Sequence, residues 1–303
     1  MSRKRGRRSG PKRSYTPYLI IGLVAVTGVV GYYIFSQSGA GSASPLIGAP
    51  VSPTILGQLA GVSLDTHSVV GVSSAVQSPK AITGGPPPLV LNSKPGVLYV
   101  GGEFCPYCAS ERWAMIIALD KFGSFTGLEY MQSSSTDIYP NTPTFTFRNA
   151  TYTSSYITFV SVEQQDRNQQ PLQPTSDNET ALVKQFDTGG SIPFVDFGNK
   201  YVITGAQYLP TVFTNANWTL VASQLDNASS PFAQTIVGGA NHLIAAICKI
   251  DGGSPQNVCS QSFAQTVSFT RSATSGGSQL FASDAVFRVA GPSRSGLGRL
   301  GIA

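Results

Sequence analysis

Cys105 and Cys108, in the run Glu103-Phe104-Cys105-Pro106-Tyr107-Cys108, are the residues whose type and spacing best suit chemistry. The thiolate is the reactive form of cysteine. A cysteine where a strand passes into a helix faces unpaired N–H groups and the positive end of the helix dipole, which favour that form. Val97-Leu-Tyr-Val100 before the motif reads as a buried strand, and the pattern after it predicts a helix over about 106–122. Cys105 is then the expected nucleophile. Cys108, one turn on and deeper, is the expected resolving thiol that releases a mixed disulfide. The competing readings are a structural disulfide and half of a zinc site. Zinc needs four ligands, and the other candidates are Cys248, Cys259, His67 and His242, with no second close pair. The strand-to-helix setting favours redox chemistry.

The elements around the motif predict a mixed α/β domain. Residues 53–60 have helical spacing, 68–73 fit a short strand, and Gly84-Gly-Pro-Pro-Pro88 interrupts regular structure. A strand is expected over 128–132, and 144–147 with 156–162 looks like a hairpin. Ser176 or Asp177 can cap a helix running through Phe186. Residues 193–197 and 201–204 should form a second hairpin about the Gly198-Asn199 turn, with helices near 217–225 and 231–250. This order suits a mixed sheet with helices on both faces. His67 is expected in a loop and His242 on a helix, neither with a role.

The ends carry different information. Lys and Arg total 20 against 15 Asp and Glu in a chain of 303 residues, which resembles a nucleic-acid signal. Seven of the cations lie in the first thirteen residues. Removing them leaves 13 against 15, with no basic cluster for phosphates on the remainder, so no nucleic-acid partner is expected. Tyr18 to Phe35 holds no charge and is long enough to span a bilayer, and the cations before it favour an N-terminus-in orientation. The expected organisation is a basic cytoplasmic segment (1–16), a transmembrane helix (17–36), a flexible linker (37–50), an extracytoplasmic domain (51–260) and a disordered low-complexity tail (261–303). A cleaved secretory signal is the alternative for the apolar run; either way the domain is exported.

Export permits disulfides. Cys248 and Cys259 enclose a short, turn-rich loop, and a structural disulfide there would contribute about 2–3 kcal/mol in the chain-entropy account. The alternative is a second redox pair relaying electrons to Cys105. No phosphate-binding loop, metal-binding helix motif or Ser/His/Asp pattern stands out, so neither cofactor nor metal is expected.

Several separate segments carry a resemblance: Tyr99 through Trp113 with the Cys-Pro-Tyr-Cys motif, Ser133-Ser-Ser, Tyr139 through Phe147, and Ala240-Asn-His followed by Cys248 and Cys259. Over about residues 50–260 the chain resembles an uncharacterised prokaryotic family of membrane-anchored, thioredoxin-like proteins of unknown function. The resemblance implies a thioredoxin-like α/β fold. It also implies that Ile192-Pro193 is a cis-proline loop facing the cysteines, whose backbone pairs with substrate. Thioredoxins carry a buried carboxylate six residues before the first cysteine. Here that position is Tyr99, which leaves Glu103, Glu111 or water to take the proton of Cys108. The function expected is thiol–disulfide exchange with exported proteins that carry thiols or disulfides. The alternatives are a surface module held by structural disulfides, or a carrier in metal or haem assembly.

Overall fold

The computed structural model describes residues 43–269 and the backbone of 271–272. Helices α1 (Pro53–Ala60) and α2 (Leu64–Val70) precede strands β1 (Lys80–Ile82), β2 (Val90–Leu91) and β3 (Lys94–Gly101). Helix α3 (Pro106–Leu119) follows, then β4 (Gly123–Thr126), β5 (Glu129–Gln132), β6 (Pro143–Thr146), β7 (Thr151–Ser154) and β8 (Thr158–Glu163). Helix α4 (Asp177–Phe186) leads into β9 (Phe194–Phe197) and β10 (Tyr201–Thr204). The C-terminal part holds α5 (Trp218–Ser223), α6 (Gly238–Ile250), α7 (Gln256–Cys259), α8 (Ser262–Gln265) and β11 (Arg271–Ser272).

The main sheet runs β11–β1–β10–β9–β3, with both β8 and the short β2 against β3. It is mixed: β8 is parallel to β3, whereas β9 is antiparallel to β3 and to β10. Side chains of a strand alternate between faces, so a strand buried on both sides must be apolar throughout. Residues 97–100 of β3 meet that requirement, and β9 departs from it only at the buried Asp196, whose Oδ1 accepts the Asn199 backbone N–H at 2.7 Å. Val97, Tyr99, Val195 and Phe197 pack into the larger core with α3 and α6, while Leu98, Val100 and Phe194 pack into a smaller core with Leu182 of α4. The protein is therefore a mixed α/β domain with helices flanking a mixed sheet.

Local chemistry sets several boundaries. Ser176 and Glu179 form a reciprocal capping box that starts α4. The β9–β10 hairpin turns through Gly198 and Asn199, both at positive φ, a conformation that glycine and asparagine tolerate best.

Four expectations are corrected. Residues 144–147 and 156–162 do not form a hairpin: β6 pairs with β5, and β8 crosses to lie parallel to β3. Residues 68–70 end a helix capped by Ser63 rather than a strand, which puts His67 on a helix. There His67 is fully buried, with Nδ1 2.5 Å from Asn241 Oδ1, and burial lowers its pKa to about 4. The end of the supposed linker is docked, because Gly48 N–H donates to the Tyr130 carbonyl and Pro50 bridges to Glu129. Likewise, the start of the supposed tail forms α8 and buries Phe263 against His67.

Among the described residues no helix is long and apolar enough to cross a membrane. The expected transmembrane segment 17–36, the basic segment 1–16 and most of the tail lie outside the described residues.

Candidate functional site

Cys105 is the N-cap residue of α3, with extended backbone, and Pro106 fills the first helical position where no N–H is needed. Its sulfur accepts the backbone N–H of Cys108 at 3.2 Å, the role a serine or aspartate oxygen takes in an ordinary cap. Both cysteines are free thiols. They differ in access: Cys105 retains 5% of its surface and Cys108 none. They also differ in acidity. Hydrogen bonding from the Cys108 thiol and backbone N–H, with help from Arg112, holds Cys105 below the ordinary thiol value against the opposing effect of burial. Burial, then the hydrogen bond with Cys105 and its charge, pushes Cys108 well above that value.

The Ile192–Pro193 peptide is cis and faces the pair, and Cys105 Sγ lies 3.9 Å from the Ile192 carbonyl oxygen. These four residues lie up to 88 positions apart in the sequence, and the β3–β9 pairing brings them together, with the loop facing the cysteines as the resemblance implied. Beside them opens a cleft of about 820 Å³, bordered by Tyr107, Ile192, Gln207, Tyr208 and Leu209, with no charged side chain in its lining.

The floor of the site holds a charged pair that the sequence reading did not single out. Arg112, one turn after Cys108, donates Nε to Glu163 Oε1 at 2.8 Å and Nη2 to Glu163 Oε2 at 2.7 Å, and neither side chain is exposed. Nη2 also reaches the Gly102 carbonyl at 2.8 Å. Tyr99 lies under the guanidinium, 5.8 Å from ring centre to Cζ, and its buried hydroxyl makes no hydrogen bond. A signal was available: Glu111-Arg112 stands directly before the apolar stretch 113–119 of α3, and Glu163 ends the β-branched and aromatic run of β8.

The two carboxylates considered for the Cys108 proton are each held by another partner. Glu103 accepts the Thr146 hydroxyl at 2.6 Å, and burial raises its pKa. Glu111 accepts the Gln207 backbone N–H at 3.0 Å, and burial pushes its pKa up to about 8. Besides Cys105, the charged side chains that act on Cys108 are Arg112, which lowers its pKa, and Glu163, which raises it.

Cys248 and Cys259 are joined by a disulfide with Cα atoms 5.5 Å apart, tying the end of α6 to α7. His242 is buried on α6, where burial lowers its pKa. Among the described residues no cluster of His, Cys, Asp or Glu could hold a metal ion.

Fold and site together define a mixed α/β domain that presents a Cys-x-x-Cys pair from a sheet into a helix N-terminus. A protein-family model described as a domain of unknown function (DUF929) matches residues 80–249, more than half of the chain. The protein belongs to that family. The match contains Cys105, Cys108, Ile192, Pro193 and Cys248. No curated protein and no solved structure matches the chain.

Proposed function

We propose that this protein is a thioredoxin-like thiol–disulfide oxidoreductase, anchored by residues 17–36 with its domain outside the cytoplasm, that exchanges disulfides with exported proteins. The observation that carries the reading is the inequality of the two thiols: Cys105 caps α3 with a lowered pKa, and Cys108 is sealed beneath it with a raised one. That is the division of labour between an attacking and a resolving thiol. The Cys248–Cys259 disulfide fits an oxidising compartment.

In the reducing direction, the Cys105 thiolate attacks one sulfur of a client disulfide. A bond forms between them as the client S–S bond breaks, and the departing client sulfur leaves as thiolate and takes a proton. Cys108 then loses its proton and attacks Cys105 Sγ. The mixed disulfide breaks, the second client thiol departs, and the Cys105–Cys108 disulfide remains. Two electrons pass from the pair to the client. The same steps in reverse oxidise a client dithiol, and the potential of the pair against the client sets the direction.

The uncharged cleft beside Cys105 suits a neutral stretch of polypeptide. Glutathione, with two carboxylates, would find no cation there.

Changing Cys108→Ser removes the resolving thiol, so mixed disulfides between Cys105 and client proteins should accumulate in cells and be released by reductant. Cys105→Ser should abolish them. If Cys108→Ser traps no client, the reading gives way to a surface module held by structural disulfides.

A further inference from the structure

We propose that the buried Arg112–Glu163 pair sets the chemistry of the Cys105–Cys108 couple: Arg112 supplies the positive charge that stabilises a sulfur anion, and Glu163 limits how much of that charge the sulfurs feel. This role rests on the oxidoreductase reading and adds to it two positioning residues.

The geometry makes the assignment. Arg112 lies four residues after Cys108 on α3, which stacks the two on the same face one turn apart. Its Nη2 donates to the Gly102 carbonyl, the oxygen that also accepts the Cys105 backbone N–H at 3.2 Å. One guanidinium thus touches the turn that carries the nucleophile and follows the resolving thiol by one turn. Nε and Nη2 are occupied by Glu163 and Gly102, while Nη1 is buried without a hydrogen-bond partner. Glu163 comes from β8, at the register position opposite Gly101, so the β3–β8 pairing fixes where its carboxylate meets the Arg112 guanidinium. Arg112 also faces the neutral phenol of Tyr99 on β3, and its charge acts on the carboxyl of Glu103, which accepts the Thr146 hydroxyl.

Packing alone gives little reason for such a pair. Two charges taken fully out of water are often no better for stability than apolar residues of the same volume. Placed under a pair of thiols, a cation favours the thiolate and so stabilises the reduced form relative to the disulfide, which carries no charge. The directions at the cysteines agree: Arg112 lowers both thiol pKa values, whereas Glu163 raises that of Cys108.

Two variants separate this role from a structural one. Glu163→Gln keeps the cation and deletes its counter-charge. Arg112→Met with Glu163→Gln deletes both charges together, avoiding the lone buried carboxylate that Arg112→Met would leave. The purified full-length chain is assayed for the pH midpoint of Cys105 alkylation by iodoacetamide and for its redox equilibrium with dithiothreitol, with circular dichroism confirming the fold. Glu163→Gln should move the midpoint to lower pH and shift the equilibrium toward the reduced pair by roughly tenfold, about 30 mV for a two-electron couple. The double variant should move both the other way from wild type, and Arg112→Lys, which keeps the cation, should stay with wild type. Folded variants that shift in the same direction, or not at all, overturn the role. A wild-type pair that never cycles between dithiol and disulfide defeats the oxidoreductase reading and this role with it; a pair that cycles with unmoved acidity in the variants defeats this role alone.

Discussion

The backbone N–H of Cys108 points at the sulfur of Cys105 across 3.2 Å, so the residue we propose as the resolving thiol is also the one whose amide would stabilise this sulfur as an anion. The arrangement follows from the start of α3. The first N–H groups of a helix lack internal partners, and here one of them finds a thiol.

The Cys248–Cys259 link should be structural rather than catalytic. Replacing both cysteines with alanine should lower unfolding stability by about 2–3 kcal/mol, the chain-entropy value for so short a loop. Denaturant titration under non-reducing conditions measures it. The alkylation of Cys105 should not change, because the disulfide ties α6 to α7 and does not touch the thiol pair. A change in Cys105 reactivity would instead favour a relay between the two pairs.

Stability should fall as pH rises from about 5 to about 8. Glu111 is held neutral by burial, its pKa pushed up to about 8, while in the unfolded chain it ionises near 4.5. Between those values the folded state binds more protons, so stability is lost as pH rises, by about 1.4 kcal/mol per unit for one such group. Asp196, raised to about 7 by burial, has the same sign. His67, lowered to about 4, has the opposite one and costs stability as pH falls below about 6.5. Glu111→Gln has no proton to lose and can still accept the Gln207 N–H. Urea unfolding at a series of pH values should show a shallower decline from pH 5 to 8 in this variant. An unchanged slope would mean that Glu111 is ionised in the fold.

Gly101→Ala should disturb the site from behind. A Cβ at this position would collide with the Tyr99 hydroxyl, and Tyr99 is fully buried against Phe147 and Arg112 with no room to retreat. Overpacking of this kind costs about 1–3 kcal/mol. Thermal unfolding should show the loss. A fully stable variant would show that Tyr99 has another place to go.

Much of the site was legible because local rules govern it. An apolar run, a Cys-Pro start and an apolar helix specify β3, the cap and α3 without reference to the rest of the chain. The β9–β10 hairpin was legible for the same reason, through Gly198-Asn199. What escaped depends on partners far away in sequence. Residues 156–162 are β-branched and aromatic, which says strand but not which neighbour, and the parallel pairing with β3 is fixed only by the packed sheet. Glu163 becomes the counter-ion of Arg112 through that pairing. His67 escaped because its segment is short and polar at its start; the buried partner that holds it, Asn241, comes from α6. Segments at the two edges of the domain, near Gly48 and Phe263, have linker-like composition and are fixed by docking rather than by their own pattern.

The central claim is that Cys105 is an acidic, attacking thiol and Cys108 a protected one, and the most direct measurement is the rate of alkylation of each cysteine in the reduced protein as a function of pH. Iodoacetamide labelling resolved by peptide mass spectrometry reads the two separately. Cys105 should be modified first and already at mildly acidic pH, where an ordinary thiol is scarcely ionised, while Cys108 stays unmodified until the domain is unfolded. Equal and slow labelling of both cysteines, with the pH profile of an unperturbed thiol, would contradict the account.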